Sequence, residues 1–444
     1  MAPTTSAPRR THVGALDGLR GLAVAAVLLF HAGHLRGGFL GVDLFFVLSG
    51  FLITGLLLEE FGRSGGPRLV AFWERRARRL LPALTVMVAS TLLLAWAFAR
   101  PDLLRYALQD APWVAAQSVN WHYIGEQIGY WNASGTRLFA HLWSIGVEWQ
   151  FYLAWPLTVA LAGRGPGGHR RVALVAMAGA LVSLLLTIRL GAAVDTTRAY
   201  EGTDTRASSL LLGAAAATAP VRNAVSGLSR TAVDVICALL LAGLFASWLL
   251  TGGEKAPGLF QGGMFAHSLA GAALIALLAH APDGLAGRMI GSAVPRRLGE
   301  LSYSLYLWHW PVYLLLPRPE AGPAGWGWTI VAAGLSLLAA VVSKATVEDP
   351  IRLRTGWATG RRGWAALAAA AVVAAGLWAV IPRPRPGAGT VDVSRLSQSW
   401  PDSSRQETGG RTHAEGLTPR GGRPGRGGDA GGLWHQRHRG APRR

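Results

Sequence analysis

The 444-residue sequence is poor in charged side chains and in cysteine. Charged residues make up 15% of the chain, whereas hydrophobic residues make up 51%. A soluble chain of this length would form two or three domains with charged surfaces, so the composition argues against a soluble protein. The single cysteine, Cys237, excludes an intrachain disulfide and a metal site built from several cysteines. We therefore expect a membrane protein without a disulfide framework, and no metal site.

Long apolar blocks are what the sequence has instead. Blocks of about 17–24 residues fit helices that cross ~30 Å of hydrocarbon at ~1.5 Å per residue. Clusters of proline, glycine and charge separate them. We predict spans at 14–34, 39–59, 80–99, 139–163, 172–190, 206–220, 231–251, 263–281, 298–317, 325–345 and 364–382. The predicted fold is all-α, a polytopic transmembrane helical bundle of about ten core spans plus an eleventh.

The distribution of basic residues predicts the orientation of the bundle. A net charge of +19 would suggest nucleic-acid binding in a soluble protein. With the N-terminus in the cytoplasm, about twenty basic residues fall in cytoplasmic segments and about seven in the opposite loops before the tail. No small-residue cleavage site follows the first apolar block, so we interpret it as a retained span. We expect a multi-pass protein of the cell membrane, with a lipid bilayer around it and no nucleic acid as partner.

Four regions follow from this pattern. They are a cytoplasmic N-terminal segment (1–13), a core transmembrane domain (14–355), a cytoplasmic loop with the eleventh span (356–382) and a tail (383–444). The tail is rich in Gly, Pro, Arg and Ser, which predicts disorder, and by topology it lies outside the cell.

Residues 103–122 look helical, but counting them as a span would invert every later loop. We predict an outer-face or re-entrant helix there.

Polar residues inside the first span are the first candidates for function. Arg20 and His31 are eleven positions apart, which places them on one helix face about 16 Å apart along the axis. Asp17 and His34 extend this stripe by one turn at either end. Ionisable residues are costly inside a membrane and by default indicate function. The alternative is an interfacial Asp17–Arg20 ion pair, a packed His31 and a surface-exposed His34.

The second span contains a carboxylate in its first turns. Asp43 lies near the expected level of His31 and could orient its imidazole, as a carboxylate does for a catalytic histidine. It could equally cap the start of its own helix. Ser49 and Gly50 look like small residues that allow close helix packing.

Two further stretches repeat this pattern of polar groups on one helix face. In "HLWSIGVEWQFYLAWP", His141, Ser144, Glu148 and Tyr152 share a face. In "GELSYSLYLWHWPVY", the residues at helical spacing are Ser302, Tyr306, His309 and Tyr313. A lone membrane histidine is usually a satisfied core group, but the neighbouring hydroxyls also fit substrate contact.

A cluster of arginines precedes the third span in "FWERRARRLLPAL". Arg75 and Arg78 share one helix face, and Arg76 and Arg79 share another. Arginine forks bind phosphates in a bidentate way. The same residues also fit ordinary anchors of a cytoplasmic loop.

Taken in order, these motifs resemble the acyltransferase-3 family of membrane acyltransferases. The matching elements are Arg20 followed by ten residues and His31, "GVDLFFVLSGFLI", "FWERRARRLLP", "HLWSIGVEWQFYLAWP", "LGELSYSLYLWHWPV" and "VEDPIR". The resemblance implies transfer of an acyl group, usually acetyl, from cytoplasmic acyl-CoA to a hydroxyl of a carbohydrate or glycolipid at the outer face. It implies a functional Arg20–His31 pair, and it assigns Arg76 and Arg79 to the CoA side, with Arg75 and Arg78 as the other choice.

Two departures from the family pattern stand out. Family members often have two adjacent acids in the fourth span, where this chain has Glu148 followed by Trp149. Many relatives with an eleventh span continue into an extracytoplasmic SGNH hydrolase-like domain. The residues after Pro382 here contain no Gly-Asp-Ser motif.

The sequence therefore predicts an O-acyltransferase in which His31 is the general base, aligned by Asp43 or Glu148. Acetyl-CoA or another acyl-CoA is the expected donor. A transporter or proton-coupled carrier could use the same polar residues, although no repeated halves are visible. A purely structural polytopic protein is a third possibility, and it would tolerate alanine at these positions.

Overall fold

The computed structural model describes residues 13–384, apart from 134, 194, 254–255, 257, 318–324 and 354–359. Every regular element within these ranges is helical, which confirms the all-α fold class. The predicted N-terminal segment and tail lie outside the described residues, except for Val13, Arg383 and Pro384.

Eleven long helices correspond one to one with the eleven predicted spans. They are α1 (Gly14–His31), α2 (Gly41–Ser64), α3 (Leu69–Phe98), α7 (Trp143–Ala162), α8 (Gly168–Leu190), α10 (Thr203–Ala216), α12 (Arg230–Leu250), α13 (Met264–His280), α15 (Ala293–Leu315), α16 (Trp326–Ser343) and α18 (Gly360–Val380). Further helices connect them: α4 (Pro101–Ala115), α5 (Val119–Gly125), α6 (Tyr130–Ala133), α9 (Thr197–Glu201), α11 (Ala219–Ser226), α14 (Leu285–Ile290) and α17 (Asp349–Leu353).

Eight helices in the described part of the chain are long and apolar enough to cross a membrane. The other three long helices are α7, α10 and α15. Helix α10 has only 14 residues. Helices α7 and α15 are long enough, with 20 and 23 residues, but polar and aromatic side chains lower their hydropathy. Helices α7 and α15 correspond to the predicted spans 139–163 and 298–317, and they carry the candidate site residues of those spans.

The structure changes two of the predicted boundaries. Helix α3 begins at Leu69, so the arginine cluster lies on its first turns and the helix continues through Pro82. The predicted helix at 103–122 is two helices, α4 and α5, which are separated at residues 116–118. Gln117 has a φ of 56° at this break, in the left-handed region that a continuing helix does not use. The side of the membrane on which α4 and α5 lie stays a prediction.

Glycines bring α1 and α15 into backbone contact. Gly21 on α1 packs against the Pro295 carbonyl, and Gly299 on α15 packs against the Asp17 carbonyl. Such small-residue contacts replace the hydrophobic driving force that membrane helices lack in lipid. Helix α15 is thereby held along α1, with its polar face against the Arg20–His31 stripe.

Candidate active site

Two imidazoles meet between α1 and α15. His31 Nδ1 lies 2.9 Å from His309 Nε2, and the two rings stack with centroids 5.0 Å apart. On its other side, His31 Nε2 lies 2.6 Å from the hydroxyl of Tyr130, at the start of α6. The Trp310 ring covers His31 at 4.4 Å. The His31 side chain therefore points into the bundle, in contact with α15 and with the 119–142 connection.

The partners of these rings fix where the protons sit when both imidazoles are neutral. The Tyr306 carbonyl lies 2.7 Å from His309 Nδ1 and can only accept, so His309 Nδ1 donates to it. His309 Nε2 then accepts from His31 Nδ1. This leaves the lone pair of His31 Nε2 to accept from the Tyr130 hydroxyl. The basic nitrogen of His31 is thus the one that faces Tyr130.

A narrow polar cavity lies further along the same seam, towards Arg20. It is small, with a volume of about 60 Å³, and lies between α1, α2, α7 and α15. Its lining includes the polar side chains of Arg20, Ser49, Ser144, Glu148, Ser302, Tyr303 and Tyr306. Arg20 also pairs with Asp17 at 3.9 Å, one turn away on α1. The buried Ser302 hydroxyl has no hydrogen-bond partner among the described residues, so it is available to a molecule in the cavity.

Positive charge exceeds negative charge at the Arg20 end of this cavity. Arg76 on α3 lies close enough to Arg20 and Glu148 to interact with both electrostatically, and Arg79 lies close enough to interact with Arg20 and Arg76. The guanidinium of Arg76 sits 5.8 Å over the Tyr152 ring. In the described part of the chain, the buried Nε of Arg79 has no hydrogen-bond partner. An anionic group would find unsatisfied donors here.

The two arginine pairs of α3 face in different directions. Arg75 borders a separate cleft at the α2–α3 turn, 3.9 Å from Glu60. Arg78 lines an apolar cavity against α18. Arg76 and Arg79 are therefore the pair near Arg20, whereas Arg75 and Arg78 lie against other parts of the protein; the assignment of Arg76 and Arg79 to acyl-CoA stays a prediction.

Tyr306 connects the cavity to the imidazole pair. Its hydroxyl lies 2.7 Å from the Ser144 hydroxyl and donates to the His141 carbonyl at 2.8 Å. Its own carbonyl accepts from His309. His141 is buried, with its ring 5.5 Å from that of His309. Continuous polar contacts thus run from the cavity to His31.

Glu148, one turn after Ser144 on α7, is held by hydroxyl groups. Ser49 donates a hydrogen bond to its carboxylate, and Tyr152 donates to Ser49 at 3.3 Å. Ser49 therefore does more than allow close packing, which is the role its position in the sequence suggested. Gly50 does have the packing role, since it lies against the Leu210 carbonyl of α10.

Two predicted site residues have their contacts elsewhere. Asp43 is fully buried and pairs with Arg206 on α10 at 2.7 Å, and its contacts do not include His31. His34 lies beyond the end of α1, 2.8 Å from the Thr329 hydroxyl and stacked on Trp326 at 3.8 Å. His31 instead contacts His309, Tyr130 and Trp310.

Tyr130 and Arg206 are the residues of interest that sequence reasoning missed. Tyr130 lies in the connection "EQIGYWNASG", where there is no helical periodicity to reveal a face. Arg206 stands at the edge of a short apolar block and resembles a loop charge. A pairing partner for Asp43 was the only available signal, because a fully buried carboxylate requires one.

Comparison with known proteins identifies the family of the chain. The acyltransferase-3 family profile, described as an acyltransferase domain, matches residues 13–345. This chain belongs to that family. The match includes the polar faces of α1, α7 and α15 and the arginines of α3.

Curated relatives of this acyltransferase-3 family member carry more specific names. The chain is 32% identical over 359 residues to peptidoglycan O-acetyltransferase OatA of Listeria monocytogenes, covering 77% of this chain and 56% of that protein. It is 34% identical over 346 residues to O-acetyltransferase OatA of Staphylococcus aureus (strain NCTC 8325), covering 76% and 57%. The chain thus spans little more than half the length of these relatives. No solved structure matches it.

Proposed function

We propose that this protein transfers an acyl group, acetyl in the first instance, from cytoplasmic acyl-CoA to a hydroxyl of cell-wall carbohydrate. The observation that carries the proposal is the His31–Tyr130 hydrogen bond at one end of a polar seam whose other end is lined by arginines. The names of the relatives support a peptidoglycan sugar as the acceptor. The membrane-spanning helices support a reaction that joins the two sides of the bilayer.

In this proposal His31 is the general base. Its Nε2 lone pair takes up the proton of the acceptor hydroxyl through the Tyr130 hydroxyl, which gives its own proton to Nε2 and receives the acceptor's. The hydroxyl oxygen attacks the carbonyl carbon of the thioester, the carbon–sulfur bond breaks, and the proton passes to the CoA thiolate. His309 holds the His31 ring by accepting from Nδ1, as an orienting partner does in other base-assisted acyl transfers.

The donor end of the proposal rests on the arginines. Arg76 and Arg79 bind the anionic part of acyl-CoA, and the thioester arm enters the cavity past Arg20. Ser302 and Ser144 offer hydroxyl groups along its path. Asp43 has no role at the reacting atoms in this scheme, because it is occupied by Arg206.

An envelope acetylation assay tests the proposal. The full-length protein is expressed in a host whose peptidoglycan lacks O-acetyl groups, and ester-linked acetate on the purified glycan is measured by mass spectrometry. The wild-type protein should add O-acetyl groups. His31→Ala should lower the rate about 100-fold or more, and Tyr130→Phe by a smaller factor, since the loss of a general base has that size. His280→Ala, on the exposed end of α13, is the matched histidine control.

The donor arginines give a different kinetic signature in the same system. Arg76→Ala and Arg79→Ala should raise KM for acetyl-CoA more than KM for the acceptor. Wild-type activity in His31→Ala at normal protein level would refute His31 as the base. Movement of a glycan precursor across the membrane without any acyl transfer would refute the enzyme and favour a carrier.

A further inference from the structure

A second polar centre lies in the bundle, away from the reacting groups. Arg206 on α10 is buried and donates to Asp43 on α2 at 2.7 Å. The same carboxylate oxygen accepts from Ser209 at 2.9 Å and lies 3.4 Å from Ser268 on α13. Since a buried charge is tolerated only when it is paired, Asp43 and its hydroxyl partners hold Arg206 in one place.

The guanidinium of Arg206 is surrounded by aromatic rings. Its Cζ lies 5.1 Å from the ring centroid of Tyr200, 5.7 Å from that of Trp143 and 5.6 Å from that of Phe46. These distances are within the range of cation–π attraction, which strengthens where water is excluded. The ion pair therefore fixes rings that come from three different elements.

Two of these rings form the wall behind Tyr130. The Tyr130 ring centroid lies 5.3 Å from that of Tyr200 and 6.1 Å from that of Trp143, which are themselves 4.9 Å apart. The buried Tyr200 hydroxyl has no hydrogen-bond partner in the described ranges. Ring contacts, including the one with Arg206, are therefore what orient Tyr200.

We propose that Asp43 and Arg206 are positioning residues for acyl transfer: the ion pair holds Tyr200 and Trp143, and these rings hold Tyr130 against His31. The inference rests on the proposed function, because Tyr130 and His31 are its reacting end. It gives Asp43 a role at a distance from the imidazole, through two layers of side chains. Loss of the pair should impair the chemical step and leave donor binding unchanged, because Arg76 and Arg79 lie near Arg20 rather than at this ring wall.

The test replaces the pair by apolar residues of similar volume. The double variant Asp43→Leu with Arg206→Met removes both charges together, an exchange that buried ion pairs often tolerate without loss of stability. Full-length protein in lipid nanodiscs is assayed with acetyl-CoA and chitotetraose as the acceptor probe. We expect kcat to fall about 10- to 100-fold, as for a misplaced catalytic group. KM for acetyl-CoA should stay within about twofold of the wild-type value.

Conservative and matched variants separate positioning from mere stability. Arg206→Lys keeps a cation between the rings and should restore kcat to within about threefold. The nearby Arg198–Asp204 pair, at 2.6 Å but partly exposed, provides the control Arg198→Gln with Asp204→Asn, which should leave kcat unchanged. If the apolar double variant does not accumulate, Tyr200→Leu provides the test of the positioning role. It removes the ring from the wall and should lower kcat, whereas Tyr200→Phe keeps the ring.

The outcomes are distinguishable. Wild-type kcat in the apolar double variant, or in Tyr200→Leu, would overturn the inference and leave the proposed function intact. An equal loss of kcat in the Arg198–Asp204 control would also overturn it, since any disturbed ion pair would then suffice. Absence of transfer by the wild-type protein would overturn the proposed function itself.

Discussion

Glu201 at the end of α9 is a buried carboxyl group beside the proposed reaction centre. Neither of its oxygens has a hydrogen-bond partner in the part of the chain that the structure describes. Burial raises the pKa of Glu201 well above its ordinary value. The group is therefore best accommodated as the neutral acid.

This burial predicts a pH-dependent contribution to stability. Between the ordinary pKa of about 4.3 in the unfolded chain and the raised pKa in the fold, the folded protein keeps a proton that the unfolded chain releases. Stability from this group is therefore full at low pH and is lost as pH rises. Glu201→Gln should raise Tm at neutral and alkaline pH and flatten its decrease with pH.

The single buried cysteine provides the measurement. Cys237 is inaccessible in the fold, so a thiol-reactive dye reports its exposure on heating in detergent. The control is Glu126→Gln, at an exposed position of the α5–α6 connection. Identical pH slopes for wild type and Glu201→Gln would contradict the assignment.

At the scale of helices, glycine contacts set how closely α2 and α10 approach. A methyl group on Gly50 would overlap the Leu210 carbonyl, and one on Gly213 would overlap the Val47 carbonyl. Backbone atoms cannot move aside as a flexible side chain can. Gly50→Ala should therefore destabilise the fold by about 1–3 kcal/mol, the usual cost of overpacking.

Gly243 on α12 is the matched control for this change. It has open space around its Cα, so Gly243→Ala should leave Tm unchanged or raise it slightly through helix propensity. The same dye assay compares the two variants. Equal Tm values for Gly50→Ala and wild type would mean that α2 and α10 can separate without cost.

Helix periodicity was sufficient to predict the elements and their polar faces. Ser302, Tyr306 and His309 were predicted on one face from spacing alone, and the structure places them towards α1 and the cavity. Spacing within a helix carries no information about its neighbour across the bundle. For that reason the Asp43–Arg206 pairing, which joins positions 163 residues apart, could not be derived.

Connections were the least predictable part of the site. Tyr130 reaches His31 from a four-residue helix that is positioned by ring contacts with Tyr200 and Trp143. Short segments of this kind lack the length over which a repeat can be recognised. The same reason explains why the 103–122 region was predicted as one helix instead of two.

At the scale of the whole molecule, the predicted orientation remains to be tested. The basic residues of the α2–α3 turn predict that it faces the cytoplasm, whereas the α5–α6 connection should face outward. Gly66 lies in the α2–α3 turn and Gly125 is the last residue of α5, and a Cβ at either position meets no atom within 4 Å. Gly66→Cys and Gly125→Cys therefore introduce cysteines that are predicted to lie on opposite sides of the membrane.

A membrane-impermeant maleimide is added to intact cells to label whichever of these cysteines faces outward. Gly125→Cys should react at once, and Gly66→Cys only after permeabilisation. The native Cys237 is buried and supplies the unreactive background. The reverse pattern would invert the bundle and put the arginine end of the seam outside.

The backbone contact between α1 and α15 has a mechanical consequence. The two helices that carry His31 and His309 touch through Gly21 and Gly299, so main-chain atoms set how closely these helices approach each other there. Bilayer tension or a change of lipid thickness would first splay the looser periphery, where α18 leaves an apolar cavity against α3. The proton-transfer geometry should therefore be insulated from the mechanical state of the surrounding lipid.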